Sequence, residues 1–273
     1  MSFDINNNVA AYNAYQNLSM NQTAEQASLQ KLSSGFRINK AADDAAGLSI
    51  VEELASQVGG FKVATQNAQG AINLVQTADG ALNETQAILQ RVRDLSVQAA
   101  NGTNDATAVA AAQSEVTQSL AEIDRIASAT VFGSLSLLNA ATTSQNSFTF
   151  QVGASGASFN QITVAVSGTG TANIGVAGLT VGATAAIATV DAAITYISNV
   201  RSSLGAYQNR LQHTVNNLGV AVQNLSASES QIKDTDMAAE MVNFSKEQIL
   251  VQAGTAMLAQ ANQAPQSVLR LFQ

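Results

Sequence analysis

The chain has 273 residues, 46% of them apolar and only 11% charged, so it has ample material for a buried core in one large or two ordinary domains. Its net charge of -7, with 12 basic residues scattered along the chain, argues against nucleic-acid binding, which needs clustered Lys and Arg. Because the sequence contains no Cys, disulfides, thiolate metal sites and a thiol nucleophile are excluded.

The N-terminal sequence MSFDINNNVAAYNAYQ lacks the basic and apolar regions of a cleaved secretory signal. No stretch of the sequence approaches the roughly 18 uninterrupted apolar residues of a membrane span. We therefore expect no membrane span, and any secretion to follow a route without a cleaved signal peptide.

The segment SSGFRINKAADDAAG, residues 33–47, carries two adjacent aspartates, Asp43 and Asp44, beside the cations Arg37 and Lys40. Enzymes use paired carboxylates as general acid and base when their environments separate the two pKa values. The same residues are also typical of a connection between helices, in which a glycine ends one helix and an aspartate caps the next. Composition alone leaves both interpretations open.

Residues 44–100 predict one long helix, because apolar residues recur at alternating spacings of three and four. One seam of this helix contains Val51, Leu54, Val58, Phe61, Thr65, Ala68, Ile72 and Val75. A second seam, on another face, contains Ala71, Leu74, Ala78, Ala81, Thr85, Ile88, Val92, Leu95 and Ala99. Two seams indicate contacts with more than one neighbour. The sequence NGT then predicts the helix end, with Asn101 or Gly102 as a left-handed cap.

Residues 106–129 predict a further helix, whose apolar face contains Val116, Leu120, Ile123 and Ala127. No charged residue lies between Ile126 and Val190. Within this stretch, SFTFQV and QITVAVSG alternate polar and apolar residues, and the intervening GASGASFN predicts a hairpin loop. We expect a small β-hairpin here.

The most regular periodicity predicts a second long helix over residues 187–232. Its seam contains Ile187, Val190, Ile194, Ile197, Arg201, Leu204, Gln208, Leu211, Val215, Leu218, Val222, Leu225, Glu229 and Ile232. Two long helices from opposite halves of the chain can lie antiparallel and bury each other's seams. The predicted fold class is mainly α, a long antiparallel coiled-coil bundle with a small β-hairpin, whose discontinuous domains combine both ends of the chain.

The two terminal regions predict amphipathic helices that are only thinly apolar. Ordering a chain costs about 1–2 kcal/mol per residue, and burying a large apolar side chain returns roughly 1.5–3 kcal/mol. We therefore expect both tails to be mobile in the monomer and to fold against neighbouring subunits. The residues expected at these contacts between subunits are Leu18, Leu29, Leu32, Phe36, Leu250, Met257, Val268 and Leu271.

Other candidate sites carry little chemistry. His213 is the only histidine, so the chain cannot form an HExxH zinc site, and a lone histidine commonly packs at a helix surface. Gly168 and Gly170 are followed by Asn173 where a phosphate-binding loop has its third glycine. We expect no cofactor and no metal.

Five blocks of sequence closely resemble bacterial flagellin. They are LSSGFRINKAADDAAGLSI, LQRVRDLSVQAANGTN, RSSLGAYQNRLQHTVNNL, NLSASESQIKDTDMAAEM and QAGTAMLAQANQAPQSVLRLFQ, and they occur in order at both ends of the chain. The resemblance covers roughly residues 1–140 and 185–273 and implies a short form without large outer domains. It also implies that the segment with the paired aspartates connects two helices.

The resemblance further implies a structural subunit that self-assembles into the extracellular flagellar filament, which propels the swimming bacterium. In that family a core domain pairs the two ends, a long-helix domain surrounds it, and the middle is variable. The corresponding ranges here are residues 1–43 and 233–273, residues 44–140 and 187–232, and residues 141–186. Expected partners are further copies of the chain, a type III export chaperone, the filament cap and the hook–filament junction proteins. A junction protein is itself the alternative interpretation, and an enzyme displayed on a filament is a third that no motif supports.

Arg91, Leu95 and Glu115 match the receptor epitope of those flagellins that activate Toll-like receptor 5. Arg91 and Leu95 are four residues apart and share a helix face, and Arg91 could also pair with Asp94. The alternative interpretation is a solvated face with an ion pair worth under about 1 kcal/mol. The resemblance implies recognition by this receptor.

Overall fold

The structure is a computed structural model that describes residues 7–140 and 145–271, with side chains described up to residue 263. Contacts divide the chain into two compact units. The first, the tail unit, combines Met1–Ser56 with Asn224–Gln273, and the second, the central unit, is Gln57–Gln223. These limits fall inside two long helices, so the five-segment domain division expected from the sequence stays a prediction.

Five long helices account for most of the described chain, as the sequence predicts. They are α1 (Val9–Ser34), α2 (Ala45–Ala99), α3 (Ala106–Ala129), α4 (Thr184–Lys233) and α5 (Met237–Leu271). The predicted range of α3 is confirmed, and its four expected apolar residues are all buried. Asp105 caps this helix, because its carboxylate accepts a 2.7 Å hydrogen bond from the amide of Ala108.

In the central unit α2 and α4 run antiparallel. Arg93 near the end of α2 pairs with Asp191 near the start of α4 at 2.6 Å. Earlier on α2, Asp79 pairs with Arg201, further along α4, at 2.8 Å. The guanidinium of Arg201 also donates to the side chain of Gln86 at 2.7 Å, which explains a charged residue in the seam. The predicted antiparallel pairing of the two long helices is confirmed.

The main hydrophobic core lies in the central unit and draws on both long helices, α3 and the segment between α3 and α4. Both predicted seams of α2 contribute to it, and Leu74 of the second seam is among its largest fully buried side chains. Leu82 and Leu89 are also fully buried, although neither predicted seam contains them. On α4 the fully buried side chains include Ile197 and Leu211. Burial of two faces of α2 is what the overlapping seams predict.

The predicted hairpin is present as strands β3 (Gln145–Gln151) and β4 (Gln161–Ser167), paired antiparallel with Phe148 opposite Val164. Its loop holds a short 3-10 turn, Ser158–Asn160. A shorter hairpin, β1 (Val131–Phe132) and β2 (Leu135–Ser136), was not predicted. Gly133 at its tip has a φ of 63°, which favours glycine.

Side chains of α3 hold the uncharged segment that precedes α4. The carboxylate of Asp124 accepts hydrogen bonds from the amide and the hydroxyl of Thr171, at 2.7 and 2.8 Å. About three helical turns earlier on α3, Gln113 donates to the carbonyl of Leu179 at 2.9 Å and accepts from the amide of Val181 at 2.7 Å. Because these bonds satisfy backbone groups that no strand or helix satisfies, the segment is ordered without charges of its own.

The predicted left-handed cap of α2 is wrong. Among the described residues only glycines have positive φ, and Gly102 is not one of them. The helix instead ends in a tighter turn, in which the amide of Asn101 donates to the carbonyl of Gln98 at 3.2 Å. The side-chain amide of Asn104 donates to the same carbonyl. A side chain therefore satisfies the helix end that a left-handed residue was expected to close.

Candidate assembly surface

Helices α1 and α5 of the tail unit pack against each other in antiparallel orientation. Near the start of α1, the Asn8 side chain donates to the carbonyl of Ala261 at 2.8 Å. Further along α1, the buried Leu18 lies against Gly254, where an added Cβ would come within 3.2 Å of its Cδ1 atom. The absence of a side chain at Gly254 therefore permits the close approach of the two helices.

A second contact joins the segment after α1 to the segment after α4. Gly35 ends α1 with a φ of 75°, as the sequence predicts. The next residues form an isolated antiparallel bridge, in which the Arg37 amide donates to the carbonyl of Lys233 at 2.6 Å and the Thr235 amide donates to that of Gly35 at 3.0 Å. The ammonium of Lys233 also lies 4.4 Å from the centre of the Phe36 ring, a cation–π contact.

Three of the four charged residues in the segment 33–47, namely Arg37, Asp43 and Asp44, form hydrogen bonds with backbone groups. The guanidinium of Arg37 donates to the carbonyl of Ile232 at 2.6 and 3.2 Å, which satisfies an otherwise open carbonyl at the end of α4. Asp44 caps α2 by accepting a 2.8 Å bond from the amide of Gly47. This confirms the prediction that an aspartate caps the second helix.

Asp43 closes the turn that precedes α2. One of its carboxylate oxygens accepts hydrogen bonds from the amides of Asn39 and Lys40, at 3.0 and 2.9 Å. These two backbone bonds favour the ionised carboxylate and lower the pKa of Asp43, with a smaller contribution from the charges of Lys31 and Lys40. The two aspartates therefore hold two different parts of one connection, and neither is placed to share a proton with the other.

Both tail helices expose large apolar side chains to solvent. These side chains are between 37% and 72% exposed. We call these residues the tail-helix surface: Val9, Tyr12, Tyr15, Met20 and Leu29 on α1, and Met237, Met241, Val242, Ile249, Leu250 and Met257 on α5. Charges are few on α1, which carries only Glu25 and Lys31, whereas α5 carries Glu240, Lys246, Glu247 and Arg270. Exposed apolar residues in such density are typical of an interaction surface.

The structure separates the residues expected at contacts between subunits into three groups. Leu18 is buried between the tail helices, and Leu32 and Phe36 are half-buried. Leu29, Leu250 and Met257 are exposed and belong to the tail-helix surface. The side chains of Val268 and Leu271 lie beyond residue 263, outside the part of the chain whose side chains are described. Contact of these residues with neighbouring subunits stays a prediction, as does mobility of the tails in the monomer.

Arg91 and Glu115 meet on the surface of the central unit, but Leu95 does not join them. The Arg91 guanidinium pairs with the Glu115 carboxylate at 2.7 Å, with both side chains about half exposed, and not with Asp94 as the sequence allowed. Leu95 is only 3% exposed and belongs to the hydrophobic core. The interpretation that placed Leu95 on a solvated face is wrong, because Leu95 packs into the core together with the other residues of the second seam of α2.

Neither a metal centre nor a membrane helix emerges from the part of the chain that the structure describes. Within residues 7–140 and 145–271, His, Cys, Asp and Glu form no group of three or more that could hold a metal ion. His213 is exposed on α4. In the same ranges no helix combines the length and the hydrophobicity needed to cross a bilayer.

The sequence interpretation missed the cap of α5 and the bridge between the two connections. Asp236 caps α5 by accepting bonds from the amides of Ala238 and Ala239, at 2.9 and 3.2 Å. An aspartate directly before an amphipathic run is a signal that could have located this helix start. No local pattern, in contrast, indicates that Phe36 pairs with Asp234, because their separation in the sequence is nearly two hundred residues.

Paired chain ends, long helices and an exposed, weakly charged apolar surface define a helical structural protein built for association. The chain belongs to the bacterial flagellin family. A family model of the bacterial flagellin N-terminal helical region matches residues 5–143, and one of the C-terminal helical region matches residues 187–272.

Similar proteins extend over nearly the whole chain. The flagellin of Bacillus subtilis is 44% identical, and the flagellar filament 33 kDa core protein of Treponema phagedenis is 46% identical. Each comparison covers 98% of this chain and 99% of the relative. Among solved structures, the crystal structure of Bacillus cereus flagellin is similar with a TM-score of 0.48 and 35% identity, covering 56% of this chain and 88% of that one.

Proposed function

We propose that this chain is the structural subunit of a flagellar filament and that the tail-helix surface forms the contacts between subunits. The observation that carries the proposal is the imbalance within the tail unit, whose buried residues are few while large apolar side chains line its outside. Burying one such side chain is worth roughly 1.5–3 kcal/mol, so a neighbouring copy supplies stability that the monomer lacks. Copies that associate through two different surfaces of one chain build a closed ring if the rotation between neighbours closes and an open filament if it does not.

The low charge of this surface favours association. Around its apolar residues α1 presents mainly Ala, Asn, Gln and Ser, with Glu25 and Lys31 as its charged residues, while α5 carries Glu240, Lys246 and Glu247 among its described side chains. Removing a charge from water is costly unless it is paired, whereas neutral polar side chains can exchange water for partners in the next subunit. The surface therefore combines a large apolar gain with a small desolvation cost.

The family also supports partners and a location for this subunit. We infer that it is an extracellular component of the flagellum, exported without a cleaved signal peptide. An export chaperone, the filament cap and the hook–filament junction proteins are the further partners we propose. The alternative of a junction protein is less favoured, since relatives named as flagellin or filament core protein align over nearly the full length.

Seeded growth tests the proposed surface. Purified monomer is added to short filament fragments, and filament length is followed by electron microscopy. The double variant Tyr12→Asp with Ile249→Asp places a charge on each tail helix, and we expect it to reduce growth at least about tenfold, because each buried charge without a partner is costly.

Phe159→Asp is the matched control, since Phe159 is 83% exposed in the loop of the β3–β4 hairpin and belongs to the central unit. This variant is expected to grow like the unchanged chain. Normal growth of the double variant would contradict the proposed surface. Failure of the unchanged monomer to extend any fragment would contradict the filament function itself and favour the junction protein.

A second proposal concerns recognition of the central unit by Toll-like receptor 5. The observation that favours it is the exposed ion pair of Arg91 and Glu115, with Leu95 packed in the core beneath. We expect Arg91→Ala to lower signalling in receptor-reporter cells, while Arg125→Ala, which breaks a similar exposed pair with Glu122 on α3, leaves it unchanged. Equal signalling by the Arg91 variant and the unchanged monomer would contradict the proposal.

A further inference from the structure

Every methionine of the described chain lies on the tail-helix surface. Their side chains are between 47% and 64% exposed, and they are Met20 on α1 and Met237, Met241 and Met257 on α5. The fifth methionine of the sequence is Met1, which is outside the described residues. The central unit, Gln57–Gln223, contains none. Within the described residues, thioethers therefore lie on the surface proposed to bind other subunits.

Composition makes these thioethers the dominant targets of oxidants. The sequence contains no Cys and no Trp, so no thiol or indole competes for a two-electron oxidant. Met237 and Met241 are four residues apart on α5 and share one helix face. An oxidant that reaches the free subunit thus reacts on the tail units and leaves the central core untouched.

We propose that the tail-helix surface is a reversible oxidation site, at which hydrogen peroxide converts exposed methionines to sulfoxides and stops the free subunit from joining a filament. The inference rests on the proposed function and assigns a modification to the same surface. In each event a sulfur lone pair attacks one peroxide oxygen, the O–O bond breaks, and an S–O bond forms. The sulfur loses two electrons, and the departing hydroxide takes the proton of the bound oxygen to give water.

The physical effect follows from the polarity of the product. Methionine is flexible and apolar and fills irregular gaps in an interface, whereas its sulfoxide is polar and chiral. A sulfoxide oxygen buried between subunits needs a hydrogen-bond donor that the thioether did not need, and an interface that fits the thioether is not arranged to supply one. Oxidation of the free subunit therefore converts a favourable contact into a cost. The same contacts, once formed, keep peroxide away from the sulfur atoms.

The test compares untreated and peroxide-treated monomer in growth from untreated fragments, after catalase has removed the peroxide. Peptide mass spectrometry locates the added oxygen atoms. We expect oxidation at the four described methionines. We also expect the growth rate to fall about tenfold or more, because each sulfoxide buried without a hydrogen-bond partner weakens docking by roughly that factor. Filaments treated after assembly should take up oxygen far more slowly at these residues.

Two controls separate this effect from general damage. Methionine sulfoxide reductases A and B with dithiothreitol should restore growth, since two thiols reduce each sulfoxide to the thioether with release of water. The variant carrying Met20→Leu, Met237→Leu, Met241→Leu and Met257→Leu keeps an apolar surface of similar volume and should grow equally with and without peroxide.

Full growth of monomer oxidised at all four residues would overturn the inference. Equal inhibition of the leucine variant, or no recovery after reductase treatment, would overturn it as well. If the untreated leucine variant does not grow, recovery of the oxidised unchanged chain decides the question. Failure of the proposed filament function is recognised separately, because untreated monomer would then not grow in any arm.

Discussion

Phe36 and Arg37 both contact the end of α4 and the residues that follow it. The guanidinium of Arg37 binds the carbonyl of Ile232, and the ring of Phe36 lies under the ammonium of Lys233. A lysine could not reproduce the two donors that Arg37 presents to one carbonyl. At the scale of single residues, charges that resemble a binding site therefore serve to close helix ends.

Acid should weaken the turn that Asp43 closes. Its depressed pKa means that the ionised carboxylate contributes stability above about pH 4, where an unfolded aspartate is also ionised. That contribution is lost as the pH falls through the depressed value, because the protonated group accepts the amides of Asn39 and Lys40 less well. A carboxyl titration by NMR should give Asp43 a pKa below the ordinary aspartate value.

Asp43→Asn provides the control, because its neutral amide oxygen can still accept hydrogen bonds but has no charge to titrate. The difference in stability between the two proteins should shrink as the pH is lowered towards about 3, because carboxyl groups become protonated in this pH range. An ordinary or raised pKa for Asp43 would contradict the role assigned to its two backbone bonds.

The long helices of the central unit depend on seams that continue along α4. Leu218 is 5% exposed, whereas Val220, two residues later, is 59% exposed. Leu218→Asp should lower the free energy of unfolding by several kcal/mol, about 3–5, because it buries a charge without a partner. Thermal denaturation followed by circular dichroism measures the loss.

Val220→Asp introduces the same charge on the same helix and should change the melting temperature little. If both variants melt like the unchanged protein, the seam at Leu218 is more open to water than the structure has it. If Val220→Asp is as damaging as Leu218→Asp, helix propensity and not burial accounts for the effect.

Sequence periodicity predicts the elements well because apolar residues recur every three or four positions along an amphipathic helix. The ranges of α3 and α4 and the alternation of β3 and β4 follow from such local repeats. The β1–β2 hairpin was missed because two residues per strand are too few to show a period. The cap of α2 was mistaken because Asn104, beyond the expected cap, supplies the closing bond.

The candidate surface was predictable only in part. Amphipathic spacing places Leu29, Leu250 and Met257 on helices, and all three are exposed as a docking role requires. The spacing could not indicate that Leu18 is enclosed within the monomer, because that depends on Gly254 of a helix from the other end of the chain. Leu95 shows the same limit, since its spacing fits both the second seam of α2 and the exposed face of Arg91. Its burial in the structure assigns it to the seam.

At the scale of the whole molecule, the two compact units should differ in stability. The main core cluster lies in the central unit, whereas the tail unit buries few side chains. Deleting residues 233–273 should therefore abolish growth from filament fragments while the central unit keeps its cooperative melting transition. Calorimetry of both chains, with electron microscopy of the growth assay, provides the measurement.

Deleting residues 1–40 should give the same result, because either deletion removes one partner of the α1–α5 pair. Growth of a truncated chain would show that the tail unit is dispensable for assembly. Loss of the central melting transition would show that the central unit does not fold without the tails.

The pairing of the two chain ends also determines when in folding the tail unit can form. The bond from Asn8 to Ala261 joins residues 253 positions apart, and the one from Arg37 to Ile232 joins residues 195 apart. Contacts this distant in sequence form late, since the intervening chain must first be present and brought together. While only one end of the chain is present, its partner helix is missing and the α1–α5 pair cannot form. An incomplete chain thus lacks a complete tail unit, so the proposed contacts between subunits select for chains in which both ends are present.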